Sequence, residues 1–141
     1  MDVRASLDAT CDASRLFDLV GDLASYPQWM DLVHRAEPLG NDAWEVELRA
    51  KVGPFARSKR LRMVRTAAEP NSLVRFERLE VDGRQHAPWV LTATIESVGS
   101  QCTLTMHLHY GGALFTGGVL ERVLADKIEN GRARLAELVK N

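Results

Sequence analysis

His107 and His109 stand two apart in the run Cys102–Tyr110. Two imidazoles at that spacing on a strand share a face, which is part of what a transition-metal site needs. No third ligand is designated by spacing, and the alternation of the run puts both rings on its outer face, so no metal is expected. Glu45 and Glu47 repeat the same geometry and alternate with apolar neighbours, as solvated carboxylates do. Ser58, Ser72 and Ser97 sit in no nucleophile elbow, and Gly111-Gly112 with Gly117-Gly118 makes no phosphate loop. His34 and His86 lie near turns. Cys11 and Cys102 fit no metal spacing; one disulfide between them is open to the sequence, with free buried thiols in a reducing compartment the favoured reading. No cofactor is expected, and no catalytic constellation emerges from residue types alone.

The elements that would carry such groups follow from periodicity. Leu120, Leu124, Ile128, Leu135 and Leu138 recur along one face of a helix of roughly 25 residues within Ala113–Asn141. Gly131 occupies the missing slot. It costs about 1 kcal/mol against alanine in a helix interior, so a sheet or a bound molecule is expected to come close there. Glu121, Arg122, Lys127, Glu129, Arg132, Arg134, Glu137 and Lys140 form the opposite, polar face.

Near the other end, Val3–Asp8 alternates as a strand. Asp12 sits where an N-cap belongs. Leu16, Phe17, Leu19, Val20 and Leu23 make the dry side of a short helix ending near Gly21-Asp22, and Pro27 suits the first turn of a second. Trp29 anchors that corner. Beyond Val33 the period changes to two. Trp44–Val52, the run holding Leu61, Met63 and Arg65, Leu73–Val81, Trp89–Glu96 and Cys102–Tyr110 are strands with turns between them. In Leu73–Val81 the parity is divided: Val74 and Phe76 argue for one face, Leu79 and Val81 for the other. Strands in series with helices at the ends specify an α+β fold: a curved antiparallel sheet of about six or seven strands around a long C-terminal helix, with two short helices after the first strand.

The 141 residues read as one domain, 1–141, long enough to bury roughly 70 % of the unfolded surface. A net charge of -1 with mixed signs gives no nucleic-acid footprint. With no apolar leader and no run approaching a membrane span, the expected location is the cytoplasm, without stable membrane insertion.

A bent sheet meets a helix only along a line, and side chains or a guest must fill the rest. The inward parity mixes Trp44, Met63, Trp89, Met106 and Tyr110 with Ala50 and Ala93. Both a solid core and an apolar pocket are compatible with that mixture.

The stretch Asp12-Ala13-Ser14-Arg15-Leu16-Phe17-Asp18-Leu19-Val20-Gly21-Asp22-Leu23-Ala24-Ser25-Tyr26-Pro27-Gln28-Trp29 resembles the opening of the START-like, helix-grip superfamily. That superfamily includes birch-pollen-type allergens, polyketide aromatase/cyclases and coenzyme Q-binding proteins. The element order is similar over essentially the whole chain. The resemblance implies a hydrophobic cavity between sheet and C-terminal helix that takes a lipid, polyketide or quinone. The ligand-binding residues expected on this reading are Trp44, Val46, Leu48, Leu61, Met63, Arg65, Phe76, Trp89, Leu91, Met106, Leu108, Tyr110, Leu120, Leu124 and Ile128. From its likeness to the aromatase/cyclase branch, Arg65 is the candidate catalytic residue, an inward cation able to orient a substrate and steady oxyanion charge. Its neighbours Leu61, Met63 and Val33 replace the hydroxyl and aromatic groups of that branch. A guanidinium alone is also a poor acid or base. A binding or carrier protein for an apolar small molecule is therefore the leading expectation, with a polyketide aromatase/cyclase and a helix-grip interaction module as alternatives. No protein partner is specified.

Overall fold

The computed structural model describes residues 2–52, 54–111 and 119–140, and their side chains except those of Val52 and residues 119–125. Strand β1 (Asp2–Thr10) leads into helix α1 (Ala13–Val20) and a 3₁₀ helix (Leu23–Gln28). Six strands follow: β2 (Val33–Gly40), β3 (Ala43–Val52), β4 (Phe55–Glu69), β5 (Leu73–Arg78), β6 (Trp89–Val98) and β7 (Gln101–Tyr110). Helix α2 (Val119–Leu138) closes the described chain. All seven strands form one antiparallel curved sheet in the order β1-β7-β6-β5-β4-β3-β2.

β1 and β2 are thus opposite edges of the sheet, and the chain passes from one to the other through α1 and the 3₁₀ helix. Every later connection joins neighbours. At the β2–β3 hairpin, Asn41 and Asp42 both adopt left-handed backbone (φ 54° and 58°), the geometry of a tight turn matched to strand twist. β2 has the weakest pattern of the seven: all but Val33 and Ala36 are exposed, and Pro38 is tolerated because the strand is an edge.

The divided parity of the fifth strand has a simple resolution. β5 ends at Arg78, with Val74 and Phe76 fully buried. Leu79 and Val81 lie beyond the strand and are exposed, so they never competed for the inner face.

Two local expectations at the first helices are corrected. The Asp12 side chain makes no capping bond; its backbone carbonyl instead accepts from the amides of Arg15 and Leu16. The side-chain cap is at Asp22, whose Oδ1 accepts from the Ala24 amide at 3.0 Å. Because that cap starts the 3₁₀ helix at Leu23, Pro27 falls near its end rather than in its first turn. The Tyr26 carbonyl then closes the segment by accepting from the amides of Trp29 and Met30.

Residues 23–33 form a buried corner. Trp29 is 1 % exposed, and its ring lies 4.6 Å from that of Tyr26. The Tyr26 hydroxyl donates to the Val20 carbonyl at 2.7 Å, tying the corner to the end of α1. Burial, helped by the nearby Asp22 charge, pushes the Tyr26 phenol far above its ordinary range.

Helix α2 docks on this corner as well as on the sheet. A Cβ added at Gly131 would stand 2.8 Å from Met30 Cε and 2.9 Å from the Trp29 carbonyl oxygen. The close approach expected at Gly131 is therefore real, but the corner makes it, not the sheet or a guest. Asp31 pairs with Arg134 and lies 4.0 Å from Lys127, and the Arg134 hydrogen bond pulls its carboxyl below the usual range. Arg15 donates to the Leu138 carbonyl at 3.0 Å. Leu135 and Val139 are buried, with Ile128 and Leu138 packed beside them.

Candidate functional site: an apolar pocket under the sheet

An apolar space of about 110 Å³ remains where the inner face of the sheet, the 23–33 corner and α2 converge. Its existence follows from curvature. The strand side chains on the inward parity radiate from a concave surface, and α2 covers only part of it.

Alternation places the sheet's share of the wall. Val46 and Leu48 come from β3, Leu61 and Met63 from β4, Trp89 and Leu91 from β6, and Met106 and Leu108 from β7. With Ile128 of α2, these are the expected ligand-binding residues that the fold brings together around the space. Leu104 and the β1 residues Val3, Ala5 and Leu7 extend the same wall.

Four other expected residues do not line it. Trp44 and Phe76 meet edge to face, with centroids 5.5 Å apart, and Tyr110 stacks on Trp89 at 5.0 Å. They support the wall from behind or beside it. Arg65 is on the inward parity, opposite Phe76 in register, but it lies just past the stretch of β4 that pairs with β3, and the strand runs on to Glu69. Its Nη1 donates to the Gly21 carbonyl at 2.9 Å and its Nη2 to Asp42 Oδ1 at 2.6 Å, with the guanidinium 5.7 Å from the Trp44 ring. These contacts fasten the β2–β3 turn to the end of α1. The side chains of Leu120 and Leu124 lie outside the described residues.

Much of the remaining wall comes from the corner: Leu23, Tyr26, Trp29, Met30, Leu32 and Val33. Two short helices have no long periodic face, so spacing alone does not single these residues out. Leu135 and Arg132 of α2 complete the boundary. Arg132 is a correction to the helix's polar face: its Nη1 donates to the Ser6 carbonyl at 3.2 Å, and both residues border the pocket.

The lining is almost entirely carbon. Met30, Met63 and Met106 give it polarizable, adaptable surface. The indole N–H groups of Trp29 and Trp89, both wall residues, are buried without a protein acceptor.

The paired histidines belong to the outer surface. His107 Nε2 and His109 Nδ1 both contact Asp2 Oδ1, at 2.7 and 3.1 Å, and hydrogen bonds from these rings hold the Asp2 carboxyl below its usual range. His86 pairs with Asp82 at 2.9 Å. Among the described residues, Glu80, Asp82 and His86 bring their ligand atoms within 4.8 Å of one another. Glu80 Oε1 is already occupied by the Arg62 amide and Arg78 Nε, so this group reads as the clasp of an exposed loop. Cys11 and Cys102 are free and buried, and the Cys102 thiol donates to the Cys11 carbonyl at 3.1 Å. Burial pushes the Cys11 thiol up.

A seven-stranded sheet gripping a terminal helix defines the START-like class. Within it, the chain belongs to the polyketide cyclase/dehydrase and lipid transport family, which it matches over residues 1–140. Solved structures agree on the fold. A START superfamily protein from Mycobacterium smegmatis superposes with a TM-score of 0.72 at 14 % identity, covering 98 % of this chain and 96 % of the other. The Zhui aromatase/cyclase from Streptomyces sp. R1128 gives 0.63 at 14 % identity, with 97 % and 92 % covered. A protein from Deinococcus radiodurans gives 0.69 at 16 % identity, with 97 % and 98 % covered. No curated protein matches the chain in sequence. Among the described residues no helix is long and apolar enough to cross a membrane.

Proposed function

We propose that the chain, as a single domain over 1–141, binds or carries an apolar small molecule between its sheet and α2. The observation that carries this reading is the 110 Å³ space with a carbon wall, bordered by three methionines. A dry cavity of roughly 150 Å³ is enough to hold benzene. The pocket is smaller than that as it stands, so it suits a short alkyl chain, and it takes a single ring or the leading end of a larger lipid, polyketide or quinone once the methionine side chains yield. A cytoplasmic location accords with two free thiols.

The aromatase/cyclase reading draws support from the family's description and the Zhui likeness. It asks Arg65 to reach a substrate oxygen, and Arg65 already spends both Nη groups on Gly21 and Asp42. The carrier reading needs no such rearrangement.

Native mass spectrometry of protein purified from its source tests the proposal directly. A co-purified apolar guest, displaced in a Met106→Trp variant that retains its circular dichroism, is the expected result. Protein that leaves the source empty, and whose Trp29 and Trp89 fluorescence ignores every apolar probe added, would remove the carrier reading. Arg65→Ala separates the two functions: it should lower stability under either, but a carrier should still bind its guest, whereas a cyclase should lose turnover in the fraction that remains folded.

A further inference from the structure

Resting on that reading, we propose that the guest is amphipathic: an apolar tail enters the pocket and a carboxylate remains at the rim, held by Arg132. Three observations converge on that residue. The pocket's described wall is otherwise without charge, and Arg132 is the charged side chain that borders it. Its side chain is 44 % exposed, so the guanidinium stands at the boundary between pocket and solvent rather than within either. Its Nη1 donates to the Ser6 carbonyl of β1, which fixes the head where the sheet edge and α2 meet beside the pocket.

The chemistry selects the anion. A guanidinium presents five N–H donors in a planar fork suited to a carboxylate, more than the Ser6 carbonyl and Glu129 together use. Glu129, its present acidic partner, is 67 % exposed, and an exposed pair at this helical spacing contributes little. A guest carboxylate delivered from the pocket side would meet the fork with its tail already buried. The tail is then anchored by area removed from water and the head by charge-assisted hydrogen bonds. A fully apolar guest would leave the fork to Glu129. A guest with its charge deep in the pocket would find no partner there and meet the cost of burying it.

The test compares hexanoate with 1-hexanol, equal in tail and different in head, by Trp fluorescence or calorimetry at pH 7.5 and low salt. Hexanoate should bind about tenfold tighter, a preference of the size charge-assisted bonds give, and 1 M NaCl should erase most of it. Arg132→Gln should remove the preference and leave hexanol within about twofold. Arg132→Lys should keep part of it. Glu129→Gln, by freeing the fork, should tighten hexanoate alone. Equal binding of the two probes to the wild type overturns the proposal while leaving the carrier reading standing. So does an Arg132→Gln variant that loses both probes together, because the stem would then be serving only as wall. Failure of both probes, and of every longer acid and alcohol, removes the carrier reading and this one with it.

Discussion

The corner at residues 23–33 and helix α2 meet beside the pocket and contribute to it in opposite ways. The corner is short and irregular, buries Leu23, Tyr26, Trp29, Met30, Leu32 and Val33, and is fixed by the Asp22 cap, the Tyr26 hydroxyl and the Trp29 ring. The helix is long and regular, and the corner meets it through a glycine and a pair of cations around Asp31. Both bury apolar side chains, α2 through Leu135 and Val139, but only the seam between them turns on fit at a single glycine and on surface charge. Where packing dominates, truncation should be costly; where fit dominates, adding atoms should hurt more than removing charge.

The largest effect should come from Trp29→Ala, about 3–5 kcal/mol lost in urea unfolding, as for a large aromatic taken from a core. A loss below 1 kcal/mol would mean that the corner is not the anchor. Tyr26→Phe should follow, at about 1–3 kcal/mol, because it leaves the Val20 carbonyl buried without its donor. This residue also sets an alkaline limit. Its folded pKa is raised above the ordinary 10.0, so the protonated form is what folding favours. Its contribution is complete below pH 10 and declines as pH rises, by up to about 1.4 kcal/mol per unit. Stability measured from pH 9 to 11.5 should fall more steeply in the wild type than in Tyr26→Phe.

Gly131→Ala sharpens the contrast. Helix propensity favours alanine by about 1 kcal/mol, while overpacking against the Trp29 carbonyl, which cannot swing away as Met30 Cε can, costs about 1–3 kcal/mol. A net loss in thermal stability is expected, and a gain would show that α2 stands off the corner. Asp31→Asn should be the mildest, about 1 kcal/mol or less for a surface pair. The folded Asp31 pKa is depressed below 3.8, so its contribution is present above that pH and lost as pH falls through the folded value. The variant should accordingly show a flatter acid limb than the wild type.

The same contrast explains what was legible in the sequence. β3 reads directly because Trp44, Val46, Leu48 and Ala50 alternate with charged residues and all four are buried. The wall residues it shares with β4, β6 and β7 follow from that parity, as does the register that sets them side by side. The corner's contribution does not, because Leu23, Tyr26 and Met30 keep helical spacing for barely two turns and Leu32 then breaks it, too short a run to mark a face. Arg65 had the right parity but the wrong place along its strand, level with the β2–β3 turn: that position depends on turns, and the Asn41-Asp42 turn carries Asp42 to it. Arg132 was hidden differently. A long side chain on a polar helix face can still bend to a rim, and helical spacing records only the direction of its Cβ.

The pairing of β1 with β7, which sets Leu7 opposite Leu104, has a kinetic meaning. On the ribosome the first strand must wait, unpaired and half apolar, until nearly everything else has been synthesised. The hairpins from β2 to β7 can zip in sequence, but closing the sheet at its far edge means capturing a segment some hundred positions away, and such loop closure is slow. The wait is also the interval in which Val3, Ala5 and Leu7 are open to a neighbouring nascent chain.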